Sequence, residues 1–274
     1  MASRSRIEAE RAARGSGTRW AARAGLTARG VIYLMVGVLA LRIAFGDGSG
    51  RQADRRGALA ELGEKPFGSV LLWALGAGLV GMALWRLSEA VFGSVGPEGR
   101  KAKKRALACA RCLFYCFVAY SVLQFAAGSG GGGGSSDERS RDVTARLLGV
   151  SGGRWIVAAI GIGIVVAGLW IGGRSLMGAH RDKLRTGEIP PRLRRPVDLT
   201  GVVGGAARGL VFAVAGSFTI RAAIAYEPDR AKGFDDTLRS FAETPAGPSL
   251  LACVAVGLVL FGAFSFAMAR WRRV

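Results

Sequence analysis

An arginine recurs three times near the start of a hydrophobic run in this chain, at Arg29, Arg111 and Arg208. An aromatic residue follows each arginine four positions later, and a polar residue follows thirteen positions later. The aromatic residues are Tyr33, Tyr115 and Phe212, and the polar residues are Arg42, Gln124 and Arg221. Self-similarity at a fixed spacing indicates a repeat architecture, in which each unit buries its apolar face against its neighbours. The sequence therefore predicts three related units.

Six hydrophobic runs are long enough to span or nearly span a bilayer, which takes about 20 apolar residues. They lie at about Ala24–Phe45, Phe67–Phe92, Ala106–Ala127, Arg154–Met177, Val203–Ala225 and Pro248–Ala269. A net charge of +19 would suggest a nucleic-acid partner for a soluble chain. Because the apolar residues are gathered into long runs, we expect an integral membrane protein with no nucleic-acid partner. The arginine pattern recurs deep in the chain, so the first run is expected to be a retained span rather than a signal peptide.

Each unit contains two of these runs. Pro66 follows Arg29 by 37 residues, and Pro245 follows Arg208 by the same distance, whereas the middle unit has Gly152-Gly153 in place of a proline. Each unit is interpreted as a helix, a polar loop with a short amphipathic turn, and a second helix. Two spans per unit bring every unit into the membrane from the same side. The predicted fold is an all-α, six-helix membrane bundle of three parallel two-helix repeats with pseudo-threefold symmetry.

The distribution of basic residues predicts the orientation. Arginine and lysine are concentrated before the first run, in the second and fourth loops and in the tail, so the positive-inside rule places both termini in the cytoplasm. The expected divisions are a basic arm (1–23), a first repeat (24–93), a basic loop (94–105), a second repeat with a Gly/Ser-rich outer loop at 128–136 (106–178), a second basic loop (179–202) and a third repeat (203–274). Arginine far exceeds lysine, which is typical of a GC-rich bacterial genome. We therefore expect a multi-pass protein of the bacterial inner membrane.

The arginine pattern supplies the candidate site. Thirteen helical residues rise about 20 Å, so Arg29, Arg111 and Arg208 form an inner layer, while Arg42, Gln124 and Arg221 form an outer polar layer. Charged residues in spans are costly and are often functional. One interpretation is a ring of guanidiniums at the bundle axis that binds an anion or a lipid phosphate. The other is that these long side chains extend to the headgroups at the membrane surface.

Other polar residues yield fewer predictions. Arg86 and Glu89 are a candidate ion pair at i,i+3 spacing, with the alternative that Glu89 neutralises Arg29. Three cysteines share one helical face at Cys109, Cys112 and Cys116, but no fourth donor accompanies them, so no metal or cofactor is expected. No familiar catalytic motif is present, and we expect no enzyme. The expected partners are anionic lipids at the cytoplasmic face and, as a candidate, another membrane protein.

Several segments resemble a known family. Residues Ala22–Gly25 and Ala28–Tyr33 resemble the opening of its repeat, and Pro66–Gly68 and Trp85–Ala90 resemble the second half. This is the bacterial, largely actinobacterial, domain-of-unknown-function family 1206, whose members are similar in having three tandem two-helix units. The resemblance covers about Ala22 to Arg270 and is weakest in the middle unit. It implies an integral membrane protein and supplies no activity, ligand or catalytic residue.

Two functions therefore remain open from the sequence. The leading expectation is a non-enzymatic scaffold, regulatory or envelope-interaction role. The alternative is a small transporter or channel whose axial arginines bind an anionic solute or a lipid headgroup. The two differ in what the axis contains, because a cavity beside the arginines favours the transporter and a tightly packed axis disfavours it.

Overall fold

The computed structural model describes residues 16–46, 53–93, 101–128, 136–179, 181–242 and 247–272. Within these ranges the chain is largely helical and forms no β-strand. Six long helices are α1 (Ser16–Ala44), α3 (Gly68–Phe92), α4 (Ala102–Ala126), α6 (Gly153–Leu176), α7 (Pro191–Ala225) and α9 (Gly247–Trp271). Three shorter ones are α2 (Arg55–Gly63), α5 (Ser136–Leu148) and α8 (Phe234–Ala242). Most of the basic arm, most of the Gly/Ser-rich loop and part of the first basic loop lie outside these ranges.

The six long helices are each long and apolar enough to cross a membrane. Each repeat therefore has two long helices with a short helix between them, where the sequence predicts a short amphipathic turn. In the first repeat Asp54 caps α2, because its Oδ1 accepts a hydrogen bond of 2.9 Å from the N–H of Gly57. Such a cap satisfies one of the free N–H groups at the helix start and explains why the polar loop becomes helical at this point.

A glycine at the start of the second long helix has a steric cause. A Cβ at Gly68 would lie 2.1 Å from the carbonyl oxygen of Gly63, and a Cβ at Gly153 would lie 1.6 Å from that of Leu147. The end of the short helix packs so closely on the next helix that no side chain fits there. The repeated glycine in the sequence therefore marks a tight connection rather than a flexible one.

The long helices pack mainly between repeats. The second helix of each repeat lies against the first helix of the next, as α3 against α4, α6 against α7 and α9 against α1. Within repeats, α1 packs on α3 and α7 packs on α9, whereas α4 and α6 share no extensive contact in the described chain. The helices thus form a ring that is open between α4 and α6. Pseudo-threefold symmetry and the membrane orientation stay predictions.

The helix boundaries differ from the apolar runs at one place in particular. Residues 191–202, which the sequence analysis assigns to a basic loop, form the first turns of α7. Proline at the first helical position suits such a start, because its missing N–H has no partner there in any helix. Asp198 in these turns forms an ion pair with Arg181. In the loop that precedes α7, the N–H of Arg185 donates to the carbonyl of Trp271 at 2.8 Å. This hydrogen bond joins the loop to the end of α9.

Close helix contact predicts different outcomes for two glycines of α6. A Cβ at Gly168 would lie 2.5 Å from the backbone nitrogen of Ala213 in α7, whereas a Cβ at Gly163 would meet nothing within 4 Å. We expect Gly168→Ala to lower the free energy of unfolding by about 1–3 kcal/mol, because backbone must move to admit the methyl group. Thermal unfolding of purified protein in detergent measures this. The matched control Gly163→Ala should leave the melting temperature unchanged or raise it, and equal losses in both variants would contradict the packing.

Candidate functional site

A cavity of about 400 Å³ lies between the long helices, within the size range of small-molecule pockets. Its walls come from α1, α3, α4 and α7, and the short helices supply further lining residues. The aromatic residues that follow each repeat arginine by four positions, Tyr33, Tyr115 and Phe212, all line it. Arg29 and Arg208 also line it, and we call their position the arginine end. The position of the short-helix residues Arg55, Arg139 and Phe234 is called the loop end.

Arg29 is held at the arginine end by neutral groups. Its Nε donates to Ser265 Oγ at 3.2 Å, and its Nη2 lies 3.7 Å from Met268 Sδ. Its guanidinium also lies near the Tyr115 side chain and 5.2 Å from the ring centroid of Phe261. These contacts fix the side chain toward the interior of the bundle. They supply acceptors and an aromatic face but no negative charge.

Arg208 approaches the same place from α7. Its guanidinium carbon lies 5.1 Å from the Phe261 ring centroid, 5.3 Å from that of Phe212 and 5.6 Å from that of Tyr33. Its Nε is buried and has no hydrogen-bond partner among the described residues. Neither Arg208 nor Arg29 forms an ion pair with a described carboxylate. Two cations therefore share the aromatic ring of Phe261 without a described counter-ion.

Arg111 occupies a more peripheral position. Its side chain is exposed and does not line the cavity, although it lies close enough to Arg86, Glu89 and Arg208 to interact with their charges. The structure thus brings two of the three inner arginines together at the cavity. The third lies on the outside of α4, which is the helix at the open side of the ring.

The Arg86–Glu89 pair lies beside this group. Arg86 Nη1 is 2.5 Å from Glu89 Oε2, and the Arg86 guanidinium lies 4.1 Å from the ring centroid of Trp85. Arg272 approaches the same indole at 4.6 Å. Glu89 therefore pairs with Arg86, and no described contact supports the alternative that it neutralises Arg29. Arg86 is 5% exposed, so this ion pair is largely removed from solvent.

The three outer polar residues have different surroundings. Arg42 pairs with Glu61 at 3.5 Å, and Arg221 is exposed. Gln124 donates to the Tyr120 hydroxyl at 2.6 Å and is the one of the three that lines the cavity.

Basic residues from the short helices line the loop end. Arg55 and Arg139 approach the ring of Phe117, with guanidinium carbons 5.9 Å and 5.5 Å from its centroid. Burial, and then the charge of Arg139, lower the pKa of Arg55 below its usual value. Arg55, Arg56 and Arg139 line the cavity together with one carboxylate, Asp54. The positive charges outnumber the negative one, which favours a negatively charged occupant at both ends of the cavity.

Two residues that contact the arginines are not predicted from the sequence. Phe261 and Ser265 lie in an apolar helix, where a phenylalanine and a serine are ordinary residues. A signal was nevertheless present for Ser265 and Met268, which follow Arg208 by 57 and 60 residues, as Arg86 and Glu89 follow Arg29. In the third repeat these positions carry no charge, so Arg29, which packs against them, lacks the carboxylate that lies near Arg111.

Removal of the Glu89 charge should be costly, because it would leave a buried guanidinium without its counter-ion. We expect Glu89→Gln to lower the free energy of unfolding by about 3 kcal/mol, as is typical when one partner of a buried pair is removed. The matched control is Glu188→Gln, which removes an exposed i,i+3 partner of Arg185 and should cost about 0.5 kcal/mol or less. Thermal unfolding in detergent compares the two, and similar melting temperatures would contradict the importance of burial.

Comparison with known proteins bears on the architecture. The sequence profile of a family described as Domain of Unknown Function (DUF1206) matches residues 24–93, 108–178 and 203–272. The chain is 31% identical over 248 residues to the "Uncharacterized protein YxxB" of Bacillus subtilis (strain 168), covering 89% of this chain and 87% of that protein. No solved structure matches the chain. The three matched segments confirm the three-unit repeat predicted from the arginines, and neither match indicates an enzymatic family.

Proposed function

Since the chain belongs to the DUF1206 family of membrane proteins of unknown function, we propose from its site that it binds an anionic amphiphile in the central cavity. Arg29 and Arg208 hold the anionic group, and the aromatic walls hold the apolar part. The protein is a non-enzymatic carrier or receptor for this ligand. This develops the transporter alternative of the sequence analysis, and the observation that carries it is the pair of cations without a described counter-ion beside a cavity.

The electrostatics support an anion. A charge removed from water is costly unless it is paired, and the penalty is several kcal/mol per ion even after relaxation. Arg29 and Arg208 both approach Phe261, so their mutual repulsion adds to this cost. One phosphate or carboxylate between them offsets both penalties. The buried Nε of Arg208, which has no described acceptor, is a donor available to such a group.

The walls support an amphiphile rather than a small inorganic anion. Aromatic and aliphatic side chains cover most of the cavity, and Ile32, Val36 and Leu79 lie among them. Burial of apolar ligand surface there contributes about 25 cal/mol per Å². In the described chain the ring of helices is open between α4 and α6, and we propose this gap as the route by which the ligand enters from the lipid phase. An anionic lipid or a lipid-like acid matches both features.

The scaffold, regulatory or envelope-interaction role expected from the sequence stays a prediction. The apolar side chains that α4 and α6 expose do not indicate a protein partner, because contact with lipid alone also requires them. We place the protein in the bacterial inner membrane with both termini in the cytoplasm, as the distribution of basic residues indicates. In this orientation the arginine end of the cavity is nearer the cytoplasm, and the three short helices are on the outer side.

The orientation predicts the activity of reporter fusions. Alkaline phosphatase, which is active only outside the cytoplasm, should be active when inserted in the Gly/Ser-rich loop at 128–136. It should be inactive when inserted in the basic loop at 94–105 of the same protein. A green fluorescent protein at the C-terminus should fluoresce. Activity in the basic loop and none in the Gly/Ser-rich loop would reverse the proposed orientation.

The binding site predicts a loss of anion preference in arginine variants. Purified protein in neutral detergent should bind short-chain phosphatidylglycerol at least tenfold more tightly than short-chain phosphatidylcholine. A hydrogen bond to a charged group contributes about 1.5–3 kcal/mol, so Arg29→Gln and Arg208→Gln should each weaken phosphatidylglycerol binding about tenfold or more. Isothermal titration calorimetry measures both lipids, and inorganic phosphate serves as a probe without an apolar part.

The matched control is Arg221→Gln, which removes an exposed arginine of the same helix as Arg208. It should leave lipid binding unchanged. The lipid-free Arg29→Gln/Arg208→Gln protein should be at least as stable as the parent, because two mutually repelling charges are gone. Equal affinities of all variants for phosphatidylglycerol would rule out the proposed site.

A further inference from the structure

Three carboxylates from two different repeats meet where the short helices α5 and α8 approach each other. Asp137 lies in α5, and Asp235 and Asp236 lie in α8. One carboxylate oxygen of each lies within 4.8 Å of the other two. No sequence pattern joins these residues, because Asp236 follows Asp137 by 99 positions.

Asp137 is the residue that needs a further partner. It is 5% exposed, and its Oδ2 is buried with no hydrogen-bond donor among the described residues. Its Oδ1 accepts the backbone N–H of Asp236 at 3.2 Å, so the carboxylate is directed toward the two acids of α8. A buried acceptor without a donor costs about 1–3 kcal/mol, and more when it is charged. Burial, together with the neighbouring carboxylates, raises the pKa of Asp137 to about 6.

Each of the other two carboxylates is paired with an arginine. Asp236 Oδ2 is 2.6 Å from Arg141 Nη2, and Asp235 Oδ2 is 2.8 Å from Arg239 Nε. Asp54 is near enough for its charge to act on Asp137 and Asp235. Neither guanidinium forms a described ion pair with Asp137, so the cluster retains an excess of negative charge at its buried member.

We propose that Asp137, Asp235 and Asp236 bind a divalent cation of the Ca²⁺ class. Three oxygens within 4.8 Å of one another lie at most about 2.8 Å from a common centre, so a small adjustment brings all three to the usual Ca²⁺–oxygen distance of about 2.3–2.6 Å. The donors are all oxygens, as hard cations prefer, and they come from two helices whose spacing can adjust. Ca²⁺ accepts such irregular geometry, whereas Mg²⁺ requires a near-ideal octahedron at a shorter distance. Water completes the coordination.

Such an ion would join the second repeat to the third at the loop end of the cavity. Arg139, two residues after Asp137, and Phe234, one residue before Asp235, both line that end. The cation would therefore fix the short helices around the cavity. Its binding involves none of the residues assigned to the anion, so the two proposals are independent.

The test uses the full-length protein, purified in neutral detergent and freed of divalent ions. Isothermal titration with CaCl₂ should give one ion per chain, with a dissociation constant of about 10⁻⁴–10⁻³ M, as is typical of extracellular sites. Asp137→Asn should weaken Ca²⁺ binding at least tenfold and remove the Ca²⁺-dependent rise in melting temperature. Asp236→Asn is a second variant with the same expected loss, for use if the first does not fold.

The matched control is Glu227→Gln, which removes an exposed carboxylate paired with Arg230 and should leave Ca²⁺ binding unchanged. Arg29→Gln/Arg208→Gln should also retain Ca²⁺ binding, which separates a failure of the anion site from a failure of this one. No heat of Ca²⁺ binding up to 10 mM in the parent protein, or equal affinities in Asp137→Asn and Glu227→Gln, would overturn the proposal.

Discussion

Close backbone contact at Phe261 is the constraint on which the candidate site depends. A Cβ at Gly204 of α7 would lie 2.4 Å from the Phe261 nitrogen, and a Cβ at Gly262 would lie 2.9 Å from the carbonyl oxygen of Gly30 in α1. Glycine therefore lets α1 and α7 approach α9 on both sides of one aromatic residue. Arg29 lies in α1 and Arg208 lies in α7, so both guanidiniums contact the Phe261 ring. Larger residues at these glycines would separate the helices and with them the two charges.

Divergence between the repeats explains why those charges lack a described counter-ion. In the first repeat, the second helix carries Arg86 and Glu89, which form an ion pair near Arg111. In the third repeat, the equivalent positions are Ser265 and Met268, which contact Arg29 through neutral atoms. In both places the second helix of one repeat packs on the first helix of the next. This contact places a carboxylate near Arg111, whereas Arg29 meets a hydroxyl and a thioether. The repeat keeps the arginine and changes the residues that face it.

The opening between α4 and α6 follows from where the strongest helix contacts form. Glycines in α6 and α7 bring these two helices into backbone contact, and a Cβ at Gly209 would lie 2.6 Å from the nitrogen of Gly172. Helix α6 packs against α7, and α4 packs against α3. The two helices of the second repeat therefore share no extensive contact with each other in the described chain. The cavity lies on the α4 side of this opening, where residues of α1, α4 and α7 line it, and none of its lining residues belongs to α6. The middle unit is also the most diverged in sequence, since it has Gly152-Gly153 where the other two units have a proline.

The sequence by itself determined the repeat, the six apolar spans and the family, because spacing and hydrophobicity are properties of a linear chain. It also identified Arg29 and Arg208 and the aromatic residues one helical turn beyond them, since i,i+4 positions share a face. Only the tertiary structure decided that Arg29 and Arg208 meet at Phe261 while Arg111 lies outside, and that Asp137 meets Asp235 and Asp236. Both outcomes depend on which helix faces approach within a few ångströms. At Phe261 that distance is set by glycines on neighbouring helices far apart in the chain, such as Gly204 and Gly262.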